Sequence, residues 1–155
     1  MDQSALVSMM VELFTAIKLL SGYPSPAVLP EVHTVPQAEI QRRLCDGRPC
    51  RIKAYYHPET GVVLDEALDL KNDLFDRSIL LHELVHHLQQ TTGKFESGNF
   101  CSRRVSEEFE AYEIQNRYLS GVNSARRALV MGWRGRCAKD DDEAAKTAPP
   151  QHRGD

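Results

Sequence analysis

The chain has 155 residues, of which 41% are hydrophobic and 26% are charged, and its formal net charge at pH 7 is -3. This length and balance predict one globular domain that can bury a hydrophobic core. The negative net charge, without a basic stripe carrying interleaved aromatic residues, argues against a nucleic-acid binder.

The first predicted element is a helix over residues 4–20. Its apolar side chains recur at helical spacing and predict a stripe that faces the core, formed by Leu6, Met9, Met10, Leu13, Phe14, Ile17 and Leu20. Asp2 precedes this run, and Glu12 and Lys18 interrupt it, which argues against a signal peptide and a membrane span. We therefore expect a cytoplasmic location, or an exported one if the chain is a mature form.

Short elements follow the first helix. The sequence predicts a strand at Val32–Val35 and a helix at Gln37–Leu44, after an extended connection rich in proline. Residues 51–56 and 62–65 predict two strands of a hairpin, joined by a turn over residues 57–61 that contains Pro and Gly. The edge strand of this hairpin could bind an extended peptide, or it could only cover the core.

Four cysteines are present, and they allow three pairings if all are oxidised: Cys45, Cys50, Cys101 and Cys137. A Cys45–Cys50 bond would close a small loop, whereas a Cys50–Cys101 bond would connect the hairpin to a later helix. An even number of cysteines suits an exported protein. No C-x-x-C pair is present, so a structural zinc site made of four cysteines is not expected.

The segment His82-Glu83-Leu84-Val85-His86 matches H-E-x-x-H, the zinc-binding and general-base motif of metallopeptidases. Residues four apart lie on one face of a helix, so His82 and His86 can bind one metal ion. Glu83 is offset by one position, so its carboxylate can reach a water molecule without being a ligand. His87 is expected to point away from the metal, where it donates a hydrogen bond or is solvated.

The surrounding residues predict that the motif lies within a helix packed on the core. Leu81, Leu84, Val85 and Leu88 form an apolar stripe separate from the histidine face. Asp73 or Asp76 is a suitable residue for the helix start, and Gly93 for its end.

A catalytic zinc needs a third protein ligand. The extended motif with a later Gly and His is excluded, because Gln89 and Thr92 occupy those positions. The other common source is a glutamate on a later helix. Residues 105–119 predict such a helix, with an inward stripe expected at Val105, Phe109, Tyr112 and Leu119.

Four glutamates on that helix are candidates for the third ligand. Glu108 is favoured because it lies beside the predicted stripe and one turn before Tyr112. Glu107 and Glu110 are the alternatives, and Glu110 and Glu113 are expected to be more solvated. A run of glutamates can also form only a charged helix face.

Together, His82–Gln89 and Glu108–Tyr112 resemble the gluzincin metallopeptidases, especially small members and uncharacterised bacterial metallopeptidase-type proteins. The resemblance covers residues 50–120 and implies His82, His86 and Glu108 as Zn2+ ligands and Glu83 as catalytic base. The sequence departs from larger gluzincins, which have Asn at the position of Glu107 and Asp at that of Tyr112. The partner that orients the zinc histidines is therefore not assigned.

The function expected from these residues is zinc-dependent hydrolysis of a peptide bond in a peptide or protein substrate, with Glu83 moving the proton. Candidates for oxyanion stabilisation are Tyr112, Tyr118, His57 and Arg104, and the sequence does not select among them. Two alternatives stay open: a zinc-binding regulatory or interaction module without turnover, and a helical interaction protein with a chance motif. Substrate, oligomeric state and cysteine oxidation state are not predicted.

The expected architecture is α+β: a mainly helical, zincin-like single domain over residues 1–137, with a small antiparallel hairpin packed on the metal-binding helix. Residues 138–155 are acidic and then rich in proline and polar residues, which predicts a disordered tail.

Overall fold

The computed structural model describes residues 2–97 and 99–129. In this part of the chain the elements are α1 (Gln3–Ser21), β1 (Val32–Val35), α2 (Gln37–Leu44), β2 (Ala54–His57), β3 (Gly61–Asp65), α3 (Leu74–Thr92) and α4 (Phe100–Gly121). They form a single α+β domain, as predicted. The predicted boundary at residue 137, the tail and Cys137 lie outside the described residues.

The three strands form one sheet in the order β1-β3-β2. β2 pairs antiparallel with β3, which confirms the hairpin, whereas β1 pairs parallel with β3. Gly61 begins β3 with a φ of 77°, and a Cβ there would lie 2.3 Å from the carbonyl oxygen of Glu31. Only glycine therefore fits where the turn meets the preceding chain.

The sheet is buried on both faces because helices cover each of them. On one face, Tyr56, Val62 and Leu64 join the main core with α1, α3 and α4. On the other face, Tyr55 and Val63 pack with Ile40 of α2 and with Ile52, in a smaller cluster. The alternation of strand side chains thus divides the interior into two cores.

α3 passes through the centre of the main core. The Asp73 carboxylate accepts hydrogen bonds from the backbone N–H groups of Phe75 and Asp76, and Gly93 ends the helix in the left-handed region at φ 65°. The predicted apolar stripe is correct, because its four side chains are at most 1% exposed: Leu81, Leu84, Val85 and Leu88. The H-E-x-x-H motif therefore lies in the middle of a capped, packed helix, where its backbone is held rigidly.

α1 packs its apolar stripe into the same core. The most deeply buried side chains are Met9, Met10, Leu13, Phe14 and Ile17. By length and composition alone α1 is apolar enough to cross a membrane, a test that a buried core helix and an N-terminal signal sequence also pass. Glu12 and Lys18 therefore do not by themselves exclude a span.

Cys45 and Cys50 form a disulfide that closes the loop after α2. Cys101, at the start of α4, is also disulfide-bonded. The alternative pairing of Cys50 with Cys101 is therefore wrong, since Cys50 is already bonded to its near neighbour in sequence.

Candidate metal centre

Three of the predicted site residues meet where α3 packs against α4. His82 and His86 lie one turn apart on α3 and are 7% and 5% exposed. Glu108 comes from the middle of α4, and one atom of each residue lies within 4.8 Å of the others. The structure thus brings together the ligands predicted from the motif and from the downstream helix.

The distances between the three side chains match those expected of zinc ligands. His82 Nε2 lies 3.2 Å from His86 Nε2 and 3.3 Å from Glu108 Oε2. His86 Nε2 lies 3.4 Å from Glu108 Oε1. Tetrahedral zinc with ligand bonds of about 2.0–2.1 Å separates its ligands by about 3.3 Å. These separations are close to that value, although each histidine faces a different carboxylate oxygen of Glu108.

The outer nitrogens of both histidines are bonded to glutamine side chains. His86 Nδ1 lies 2.7 Å from Gln89 Oε1, and His82 Nδ1 lies 3.1 Å from Gln115 Oε1. An amide oxygen can only accept, so each Nδ1 carries hydrogen and each Nε2 presents a lone pair. In that tautomer both Nε2 lone pairs lie beside the Glu108 carboxylate, and one metal ion can bind all three side chains. The donor set therefore fits a cation such as Zn2+.

The two glutamines contact the candidate ligands and were not predicted as part of the site. From the sequence, Gln89 only excludes an extended motif. Gln115 lies two turns after Glu108 on the same face of α4, a spacing that could have pointed to it. Their amides occupy the orienting role left unassigned by the departure from the larger gluzincins.

Electrostatics keep Glu108 ionised in this buried setting. Burial alone would raise the pKa of its carboxyl group. The contacts with His86 and His82 outweigh that effect and hold the pKa far below its usual range. Glu108 is thus a carboxylate suited to bind a cation.

The orientation of α4 differs from the prediction. Phe109 is 62% exposed, so its place in the predicted inward stripe is wrong, whereas Leu119 is buried as predicted. The other buried residues of α4 are Ala111, Ile114, Gln115 and Tyr118. Apolar periodicity misplaced the face because two of its positions, 108 and 115, carry polar side chains that reach the histidines.

The other glutamates of α4 have different surroundings. Glu113 is solvated as predicted, with a side chain 47% exposed that pairs with Arg117 at 2.6 Å. Glu107 faces Arg103 and Arg104, and burial raises its pKa. Glu110, expected to be solvated, is instead 17% exposed and hydrogen-bonded to side chains from other parts of the fold. None of the three is grouped with the histidines in the described chain.

Glu83 lies beside the cluster without belonging to it. Its side chain is buried, and its carboxylate accepts a hydrogen bond from the backbone N–H of Tyr56 on β2. Burial is the main cause that raises the pKa of Glu83 to about 7. A carboxyl group with this pKa can take up and release a proton near neutral pH.

His87 points away from the cluster, as predicted. It is 8% exposed, and its Nε2 donates to the carbonyl oxygen of Val28 at 3.2 Å, while its Nδ1 lies 3.3 Å from the Tyr56 hydroxyl. His87 is therefore a hydrogen-bonded core residue.

A cleft of about 190 Å³ opens onto His82, Glu83, His86 and Glu108. One side is formed by residues 51–55, which include the start of β2, and another by Phe75 and Ile79 of α3. Of the four oxyanion candidates, Tyr112 lines this cleft, and its ring centroid lies 4.5 Å from that of His82.

Of the other oxyanion candidates, Tyr118 and His57 lie away from the cluster, whereas Arg104 contacts it. Tyr118 is buried in the main core, and His57 accepts the backbone N–H of Glu59 in the hairpin turn. Arg104 donates to Glu108 Oε1 at 3.3 Å.

The chain after α4 returns to the mouth of this cleft. Asn116 donates to the carbonyl oxygen of Ala128 and accepts from its N–H, at 2.9 and 2.7 Å. Arg126 pairs with Asp73 at 3.2 Å and stacks 3.9 Å above the centroid of the Phe75 ring. Ala128 and Leu129 consequently line the cleft opposite β2.

The fold and site define a single α+β domain with a buried His-His-Glu cluster at a cleft. The chain belongs to the family described as DUF6647, a domain of unknown function, whose model matches residues 2–143. Neither a curated protein nor a solved structure matches the chain.

Proposed function

We propose that this protein is a zinc-dependent peptidase of gluzincin type with a zincin-like site. One observation carries the proposal: the base Glu83 and the cluster of His82, His86 and Glu108 line the same cleft. A purely structural zinc site takes four protein ligands and needs no neighbouring base, whereas a catalytic site takes three and keeps one position open.

Each residue of the site has a distinct role in this proposal. His82, His86 and Glu108 would hold the ion, and Gln115 and Gln89 keep both imidazoles in the tautomer that presents Nε2. When bound, zinc supplies Lewis acidity and makes water nucleophilic near neutral pH. Glu83 accepts the proton of the attacking water at its carboxylate and delivers it to the leaving amine. Tyr112 is positioned at the cleft to donate to the developing oxyanion.

The edge of β2 supports an extended peptide as the substrate. β2 is an edge strand, and the carbonyl of Lys53 accepts from Asp65 of β3. Because strand groups alternate in direction, the N–H and C=O groups of Ala54 and Tyr56 point away from β3. The Tyr56 N–H is bonded to Glu83. Ala54, which lines the cleft, can then pair with one residue of a peptide laid beside the strand.

Turnover of fluorogenic peptide mixtures by zinc-loaded protein tests the proposal. The wild type is expected to hydrolyse peptides, to lose activity with a chelator and to regain it with zinc. Glu83→Gln should keep zinc and lose turnover by about 100- to 10,000-fold, the range for removal of a general base. Glu113→Gln, on an exposed surface of α4, serves as the matched control and should keep full activity.

Three outcomes would contradict parts of this proposal. Turnover by Glu83→Gln at the wild-type rate would remove the general-base role. Zinc binding by the wild type without hydrolysis of any peptide would favour the regulatory module of the same fold. If the wild type bound no zinc, the remaining alternative would be a helical interaction protein.

A further inference from the structure

Glu110 lies directly behind Gln89, the residue that orients His86. Its Oε2 accepts hydrogen bonds from Gln89 Nε2 at 3.1 Å and from the Tyr23 hydroxyl at 2.8 Å. Lys94 donates to its Oε1. Donors from three separate segments, after α1, within α3 and after α3, thus meet at one carboxylate of α4.

We propose that Glu110 is a positioning residue of the metal centre, which acts through the Gln89 amide to fix the tautomer and orientation of His86. The inference rests on the proposed zinc site and does not depend on peptide hydrolysis. It gives a role to a glutamate that is outside the ligand cluster.

The Gln89 amide can adopt only one orientation in these surroundings. Its nitrogen donates one hydrogen to the carbonyl oxygen of Glu107 at 2.9 Å and the other to Glu110. Both partners are acceptors only, so a reversed amide would place its oxygen against two other oxygens. Gln89 Oε1 must therefore face His86, and Nδ1 of His86 must carry the hydrogen.

The carboxylate is the stronger of the two constraints on Gln89. A hydrogen bond to an ionised acceptor is roughly twice as strong as one between neutral groups. Removing Glu110 leaves the Gln89 amide with one acceptor and frees it to rotate. His86 then loses part of the support that keeps its Nε2 lone pair on the metal.

Tyr23 and Lys94 keep Glu110 in place. Lys94 Nζ also lies 4.9 Å from the centroid of the Tyr23 ring, so the two donors contact each other as well as the carboxylate. The Lys94 side chain is 47% exposed, whereas His86 is 5% exposed. A continuous polar network thus leads from the surface to a buried ligand.

A double-mutant cycle on zinc affinity tests the inference. Dissociation constants are measured by competition with a chromophoric chelator for wild type, Glu110→Ala, Gln89→Ala and the double variant. Glu110→Ala is expected to weaken zinc binding roughly 10-fold, the lower end for loss of an orienting partner. In the Gln89→Ala background the same change should not weaken zinc binding further, because Glu110 acts on His86 only through Gln89.

Two further variants separate positioning from a general effect on folding. Glu110→Gln keeps an oxygen that accepts from Gln89, so it should lose less zinc affinity than Glu110→Ala and provides the measurement if Glu110→Ala does not fold. Glu113→Ala, on the same helix, should leave the affinity unchanged. The visible absorption of the Co2+-substituted protein should change for Glu110→Ala and not for Glu113→Ala, because it reports ligand geometry directly.

The inference is overturned if Glu110→Ala binds zinc as tightly as wild type. It is also overturned if the loss is equal with and without Gln89, since Glu110 would then act through the fold. Wild type that binds zinc but cleaves no peptide removes the proposed peptidase and leaves this inference standing. Wild type that binds no zinc removes the metal site itself.

Discussion

The two histidines of the cluster are supported in chemically different ways. Behind His86, the Gln89 amide faces a carbonyl oxygen and the Glu110 carboxylate, both of which can only accept. Behind His82, Gln115 Nε2 donates to the hydroxyl of Ser78 at 2.9 Å, and that hydroxyl donates to the carbonyl of Phe75 at 2.7 Å. One support ends in a charge, and the other ends in a neutral hydroxyl.

This difference matters because a hydroxyl can donate or accept, whereas a carboxylate can only accept. If the Gln115 amide reversed, Ser78 could donate to its oxygen and His82 could adopt the other tautomer. If the Gln89 amide reversed, oxygen would meet oxygen at two places. The tautomer of His86 is thus locked, and that of His82 is only favoured. We infer that disturbing the His86 side costs more zinc affinity.

The largest effect is expected from substitution of the proposed metal ligands themselves. His82→Ala, His86→Ala or Glu108→Ala should reduce zinc from about one per purified chain to background, because a three-ligand site loses a ligand. Metal analysis after dialysis measures this. Full zinc retention by both histidine variants would contradict the site.

Alanine substitutions at Glu107, Glu108, Glu110 and Glu113 under one chelator titration provide the matched comparison for the carboxylates. Glu108→Ala should lose zinc at the lowest chelator concentration. If another variant lost it first, the ligand assignment would move to that residue.

Removal of the metal should also lower the free energy of unfolding, because both histidines lose their shared ion at once. Zinc at about 1,000 times its dissociation constant stabilises the folded state by about 4 kcal/mol. For a chain of this length that corresponds to a change in Tm on the order of 10 °C. Thermal unfolding with and without chelator should show this difference for wild type and none for His86→Ala. A chelator-induced shift retained in His86→Ala would mean that the metal binds elsewhere.

Zinc affinity should be more sensitive to mutation of Gln89, behind His86, than to mutation of Gln115, behind His82. Gln89→Ala is expected to weaken zinc binding by about 10- to 100-fold, since it removes the partner of His86 Nδ1. Gln115→Ala should lie at or below the lower end of that range, because the His82 tautomer is less firmly held. Competition titrations of both variants in one buffer measure the ratio. A larger loss in Gln115→Ala would reverse the comparison.

The smallest effect on zinc affinity is expected at Ser78, whose hydroxyl accepts the hydrogen bond of Gln115. Ser78→Ala removes the hydroxyl that orients Gln115 but leaves the amide beside His82. Its zinc affinity should fall by less than that of Gln115→Ala, and by less than that of Glu110→Ala on the opposite side. The same titration provides the measurement. Equal losses for Ser78→Ala and Glu110→Ala would show that the charge at the end of the support is irrelevant.

Local patterns were sufficient to predict most elements and part of the site. The bounds of β1 and α2 agree with the prediction, and Asp73 and Gly93 end α3 as their side-chain and backbone chemistry requires. Helical spacing alone brings His82 and His86 to one face. The prediction failed at Phe109, because the inward face of α4 is set by its contact with the histidines and not by its most apolar residues.

The sequence by itself determined what depends on near neighbours along the chain: the helix and hairpin, the two-histidine face and the offset position of Glu83. The tertiary structure decided that Glu108, which the sequence only favoured, completes the cluster, since that depends on the rotation of α4 against α3. It also assigned Gln89, Gln115 and Glu110 their places, because hydrogen bonds between distant segments leave no periodic trace in a sequence. The sequence alone does not distinguish a solvated glutamine or glutamate from one that holds a metal ligand in place, because the two differ only in their hydrogen-bond partners.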